Sequence, residues 1–157
     1  MNKITPFLWF DNNAEEAMNF YTSVFKNSKI ISANRYPDEV PGMGGLLMSA
    51  TFQLEGQEFM VLNAGPQFKF NEAVSFFVDC KTQAEVDDLW NKLSADGGEE
   101  APCGWLKDKF GLSWQIVPSI LGELLADPDP VKSQNVLQAM LQMKKIDIAK
   151  LQAAYQQ

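Results

Sequence analysis

Phe7-Leu8-Trp9-Phe10-Asp11, followed by Ala14-Glu15-Glu16 and Phe20-Tyr21, has a counterpart later in the chain. There Phe76-Phe77-Val78-Asp79 is followed by Ala84-Glu85-Val86 and Leu89-Trp90. Each stretch is a short apolar run closed by an acidic residue, then an amphipathic run at helical spacing. That is the pattern of a buried strand leading into a helix. Ala14 to Ala84 and Phe20 to Trp90 share an offset of 70 residues, and the linker before the second helix is two residues longer.

Moving outward, Ala14, Ala17, Met18, Tyr21, Val24 and Phe25 fall on one helical face. Glu15 and Glu16 sit in the first turn, where the helix dipole favours anions. Lys29 to Tyr36 favours strand, and Pro37 to Gly45, with two Pro and three Gly, is a loop. Leu46 to Leu54 and Glu58 to Asn63 read as strands around a tight turn at Glu55-Gly56. In the second half, a strand over Ala73 to Val78 leads to a helix burying Val86, Leu89, Trp90 and Leu93. That helix ends at Ala95-Asp96-Gly97-Gly98, and strands follow over Glu100 to Lys107 and Leu112 to Val117. The order β-α-β-β-β therefore occurs twice. This favours an α+β chain of two tandem βαβββ modules over one domain holding two unrelated βα units. The expected boundaries are 1–68, 69–118 and, for a C-terminal helical extension, 119–157. In that extension Ser119 and Asp129-Pro130 start helices, Val136, Leu137, Met140 and Leu141 share a face, and Asp147 caps a last helix. Its apolar stripe must be buried somewhere, as a lid or a dimer arm.

The totals restrict the chemistry. The chain has 157 residues, a formal charge of −7 and no histidine. Without histidine there is no Ser-His-Asp or Cys-His nucleophile and no His-ligated metal site. The acidic balance argues against nucleic acid and anionic membranes as partners. No apolar run is long enough to span a membrane, the start does not resemble a signal peptide, and Cys80 and Cys103 form no CxxC pair. A cytoplasmic protein with two reduced thiols is expected.

Several motifs carry a resemblance. Ile4-Thr5-Pro6-Phe7-Leu8-Trp9-Phe10, Ala14-Glu15-Glu16-Ala17, Leu62-Asn63-Ala64-Gly65-Pro66, Cys103-Gly104-Trp105-Leu106, Asp108-Lys109-Phe110-Gly111-Leu112-Ser113-Trp114-Gln115 and Ala139 to Asp147 resemble the PhnB-like family. That family also goes under the name "3-demethylubiquinone-9 3-methyltransferase domain". It belongs to the vicinal-oxygen-chelate (glyoxalase/bleomycin-resistance/dioxygenase) superfamily. The resemblance implies two modules facing each other across a cleft, helices outside, and a homodimer. Metal-using members ligate from the first strand of each module and from a Glu near the end of the last strand. Here those positions read Pro6, Ala73 and Gln115. Two offer no donor and the third a neutral one, so neither metal nor other cofactor is expected.

Strand alternation orders the rest. If Pro6 faces the cleft, Leu8 follows, with Phe7 and Trp9 towards the helices; Ala73, Ser75 and Phe77 share the cleft face, as do Ser113, Gln115 and Val117. Asn63, Phe68 and Trp105 complete the candidate ligand-binding set of Pro6, Leu8, Ala73, Ser75, Phe77, Ser113 and Gln115. A mainly apolar hollow with a few polar groups suits a small-molecule ligand. For Gln115 and Asn63, backbone satisfaction and turn formation stand as alternatives. No catalytic residue is identified.

Four functions are compatible with this pattern: a metal-free binding module, whose acidic charge favours a cationic guest; an isomerase, lyase or dioxygenase relative holding a metal through Asp, Glu or Cys; a methyltransferase; and an interaction protein acting through its tail. The methyltransferase reading lacks a glycine-rich turn after a strand. Gly42-Met43-Gly44-Gly45 precedes a strand, and Gly97-Gly98 ends a helix.

Overall fold

The computed structural model describes residues 2–157, which fold as two compact units, one ending at Lys69 and the other spanning Phe70–Gln157.

The first unit runs β1 (Phe7–Phe10), α1 (Ala14–Val24), β2 (Ser28–Arg35), β3 (Leu47–Leu54) and β4 (Gln57–Asn63). Its sheet order is β1-β4-β3-β2, with β1 and β4 parallel and the other pairs antiparallel. The next strand, β2, runs the same way as β1 at the far edge of the sheet and cannot be reached by a tight turn, so α1 carries the chain over one face. Ala14, Ala17, Met18, Tyr21 and Val24 of α1 are buried there. Tyr21 stacks on Phe52 at 6.4 Å between ring centroids, and Phe52 on its cross-strand partner Phe59 at 5.6 Å. Leu8 and Phe10 pair with Val61 and Asn63, and all four are buried on that same face. Phe7 and Trp9 therefore point away from α1, the reverse of the alternation expected from the sequence. The run Phe7-Leu8-Trp9-Phe10 is apolar at every position, so its polarity could not orient it.

Asn63 fastens α1 to the sheet. Its Oδ1 accepts from the Ala14 backbone N at 2.9 Å, and its Nδ2 donates to the Leu47 carbonyl at 2.9 Å. The side chain of Asn13, the residue before α1, does not cap it. A residue from β4 thus satisfies a donor that a local cap otherwise serves.

The second unit repeats the plan: β5 (Ser75–Cys80), α2 (Gln83–Leu93), β6 (Glu99–Glu100), β7 (Trp105–Lys107) and β8 (Ser113–Pro118). Its order is β5-β8-β7-β6, again with the first and last strands parallel. Val86, Leu89, Trp90 and Leu93 of α2 are buried, as are Trp114, Ile116 and Leu106 of the sheet. The stretch expected as one strand over Glu100 to Lys107 is broken by a 3-10 turn, Pro102–Gly104. Pro102 has no N–H to give the ladder, and Cys103 takes a left-handed backbone at φ 63°. Gly104 is also left-handed, and a Cβ there would meet the Ile116 carbonyl oxygen at 2.9 Å. Asp108 is buried at the turn before β8, accepting from the backbone N–H groups of Phe110 (2.8 Å) and Leu112 (3.1 Å) and from Trp114 Nε1 (2.9 Å).

Three helices follow: α3 (Ser119–Leu125), α4 (Pro130–Leu141) and α5 (Ile148–Tyr155). Their apolar stripe is covered within their own unit, where Val117, Leu121, Val136, Ile146 and Leu151 form one buried cluster. Cys103 N and Gly104 N donate to the carbonyls of Met143 and Lys144, both at 2.8 Å. Gln83 of α2 donates to the Ile146 carbonyl and accepts from Ile148 N. The extension expected as a lid or arm is thus built into the second unit, and the turn at Pro102–Gly104 is its docking point.

Two outcomes check this fold. Asn63→Ala strands the Ala14 N–H and the Leu47 carbonyl, and Asp108→Ala strands the N–H groups of Phe110, Leu112 and Trp114; each costs about 3 kcal/mol of stability in urea unfolding, and a loss under about 1 kcal/mol contradicts their assigned roles. Burial, with the charges of Glu85 and Asp79 adding to it, pushes the Cys80 thiol up to about 12. In the native chain, then, a disulfide-exchange reagent labels the half-buried Cys103 and reaches Cys80 only on unfolding. Rapid labelling of both thiols contradicts the packing described.

Candidate functional site

The face of the second sheet away from α2 carries most of the expected site. Register partners share a face, so two rows cross it. Ser75, Ser113 and Lys107 form one row; Phe77, Gln115 and Trp105 form the other. Gln115 Nε2 donates to Ser75 Oγ at 2.9 Å, a side-chain contact rather than the backbone one considered from the sequence. Phe77 is 60% exposed, an unusual state for a phenylalanine in the middle of a strand. Trp105 is half-buried beside Gln115. Ser113 is the opposite case: it is 1% exposed, and its hydroxyl has no hydrogen-bond partner. An unmet buried hydroxyl costs about 1–3 kcal/mol, so its persistence calls for a reason.

Lys107 forms an ion pair with Glu72. Glu72 lies three residues before β5, whereas Lys107 is on β7, and β8 runs between those strands. Ser113, at the start of β8, is the register partner of Lys107. The Lys107 ammonium holds the Glu72 carboxyl below its usual range, chiefly through their hydrogen bond, and Glu72 in turn raises Lys107. Both side chains remain substantially solvated, so the pair contributes little to stability.

The remaining candidates are dispersed. Ala73 is exposed in the turn before β5, its N–H bonded to Asn71 Oδ1. In the first unit, Leu8 and Asn63 lie on the α1 side, where they pack and cap rather than line an open face. Pro6 is half-buried and accepts from Met60 N. Phe68 is exposed and packs edge-on against Trp9 at 4.9 Å, on the face that β1 turns away from α1. Trp9 Nε1 donates to the Gly65 carbonyl at 2.9 Å. Sequence reasoning missed Trp9, Glu72 and Lys107. The latter two are 35 positions apart in the chain, and nothing in the pattern signals their pairing.

The donors do not fit the metal that the fold family implies. Pro6 and Ala73 have no side-chain donor, and the Gln115 amide is engaged with Ser75. Among the described residues no three His, Cys, Asp or Glu side chains gather where they could hold an ion. Nor, among them, is any helix long and apolar enough to cross a membrane. A shallow hollow of about 430 Å³ lies between α4 and α5, lined by Asn135, Gln138, Lys150, Ala153 and Gln157 among others. It includes none of the candidate residues.

Residues 2–117 match the model of the family described as 3-demethylubiquinone-9 3-methyltransferase. Among solved structures, a putative 3-demethylubiquinone-9 3-methyltransferase, PhnB protein, from Bacillus cereus is 42% identical, with a TM-score of 0.71, over 75% of this chain and 100% of that one. The protein PA1353 from Pseudomonas aeruginosa is 20% identical, with a TM-score of 0.62, over 75% and 98%. A fosfomycin resistance protein, FosX, from Listeria monocytogenes is 14% identical, with a TM-score of 0.55, over 78% and 97%. The last two are similar in fold. No curated protein matches the chain. The family match ends at residue 117, just before the three C-terminal helices. With its paired βαβββ modules, the chain belongs to the 3-demethylubiquinone-9 3-methyltransferase (PhnB-like) family.

Proposed function

We propose that the chain binds a small, flat organic molecule on the open face of the second sheet, without the superfamily's metal. The observation that carries this reading is the polar pair Ser75–Gln115 beside an unmet Ser113 hydroxyl, flanked by exposed Phe77 and half-buried Trp105. Aromatic rings give a flat ligand stacking area, and a few fixed polar groups orient it. Gln115 has a free carbonyl oxygen to accept from a ligand while its amide is held by Ser75.

A methyltransferase is the second reading, favoured by the family's name and by the Bacillus cereus relative's. The backbone gives it little support. Gly42, Gly44 and Gly45 lie in the loop between β2 and β3, and Gly97 and Gly98 follow the end of α2. Neither set opens a helix after a parallel strand, the arrangement in which backbone N–H groups usually receive such a cofactor.

Titration with indole, a neutral flat probe, distinguishes them. Indole shifts the amide signals of Phe77, Trp105 and Gln115, and Trp105→Ala with Phe77→Ala weakens binding about tenfold, roughly 1.4 kcal/mol of lost stacking. Manganese, nickel, zinc or magnesium alone leaves the melting temperature unchanged, and calorimetry with S-adenosylmethionine gives no heat. Indole binding that ignores both substitutions, or a large rise in melting temperature with a metal alone, overturns the proposal.

A further inference from the structure

We infer that the row Ser75–Ser113–Lys107 is a seat for the carboxylate of an aromatic acid, and that Glu72 holds the seat's cation, Lys107, when no ligand is bound. The inference rests on the binding face proposed above and adds the chemical class of the ligand. Three observations converge. Lys107 supplies the one cation in the two rows, facing the same way as Ser113. The Ser113 hydroxyl is buried and without a partner, a donor in want of an acceptor. Lys107 already pairs with a carboxylate, brought by Glu72 from the turn before β5. Glu72 is mostly solvated, so it can leave Lys107 for water at small cost. A ligand carboxylate that replaces it keeps the charge pairing with Lys107 and also offers Ser113 its missing acceptor. The ring of such an acid then falls on the neighbouring row, over Phe77, Gln115 and Trp105.

This local preference opposes the net charge of −7. Glu99 lies opposite Lys107 on β6 and adds a second negative group to the same edge. The seat therefore discriminates by short-range contacts, while long-range attraction works against any anion.

The test compares benzoate with benzyl alcohol, its neutral analogue, by amide-shift titration of the full chain. Glu72→Gln removes the resident carboxylate and tightens benzoate binding about threefold, leaving benzyl alcohol unaffected. Lys107→Met weakens benzoate about tenfold and spares benzyl alcohol. Ser113→Ala removes an unmet buried hydroxyl, so the melting temperature holds or rises while benzoate weakens severalfold. If benzyl alcohol binds as well as benzoate and Glu72→Gln changes nothing, the carboxylate seat is wrong and the binding face stands. If neither compound binds this face at millimolar concentration, both readings fall.

Discussion

The parallel pairing of the first strand with the last in each module governs the structure. α1 joins β1 to β2 and α2 joins β5 to β6, strands that run the same way at opposite edges of their sheets, so a helix must carry the chain across one sheet face. That helix buries one face and leaves the other without a cover of its own. In the first unit, Tyr21, Phe52 and Phe59 stack beneath the helix. In the second, Trp90, Trp114 and Ile116 fill the corresponding space. The faces turned away from the helices are mixed: Ser113 and Val117 are buried there, but other side chains are open. Phe7 and Phe77, both more than half exposed, stand there.

Most of this architecture was legible from the sequence, because the features that encode it are local. The helical periodicity from Ala14 to Val24, the turn at Glu55-Gly56 and the recurrence of the element order all lie within short windows. What failed was long-range or degenerate. Phe7-Leu8-Trp9-Phe10 is apolar throughout, so alternation could not tell which residues lie under α1, and Leu8 was assigned to the wrong face. For Phe76-Phe77-Val78-Asp79 the resemblance put Ala73 on the open side, and alternation from it placed Ser75 and Phe77 there too. Asn63 was considered as a turn former or ligand contact, and its bond to Ala14 across 49 residues was out of reach. The break at Pro102 was visible as a proline in a strand. Its purpose was not, since that depends on Met143 and Lys144 arriving from the far end of the chain.

The candidate site shows the same division. Ser75, Phe77 and Ser113 were read by alternation from the positions Ala73 and Gln115 that the resemblance supplied, Trp105 from its place near a strand end, and the register places Ser75, Phe77, Trp105, Ser113 and Gln115 on one face. The Lys107–Glu72 bridge joins a strand to a preceding turn and has no sequence signature. Yet it is the feature that gives the face a chemical preference, because it sets a cation beside an unmet hydroxyl. Family membership fixes the architecture, while the residues at the customary ligand positions, Pro6, Ala73 and Gln115, set this chain apart from metal-using relatives.

A crystal structure of the full chain grown with indole and benzoate tests the central claim most directly. The account predicts a flat molecule stacked across Phe77, Gln115 and Trp105, with no ion coordinated by Gln115. A bare second sheet, with either compound lodged instead between α4 and α5 or an ion held at Gln115, would contradict it.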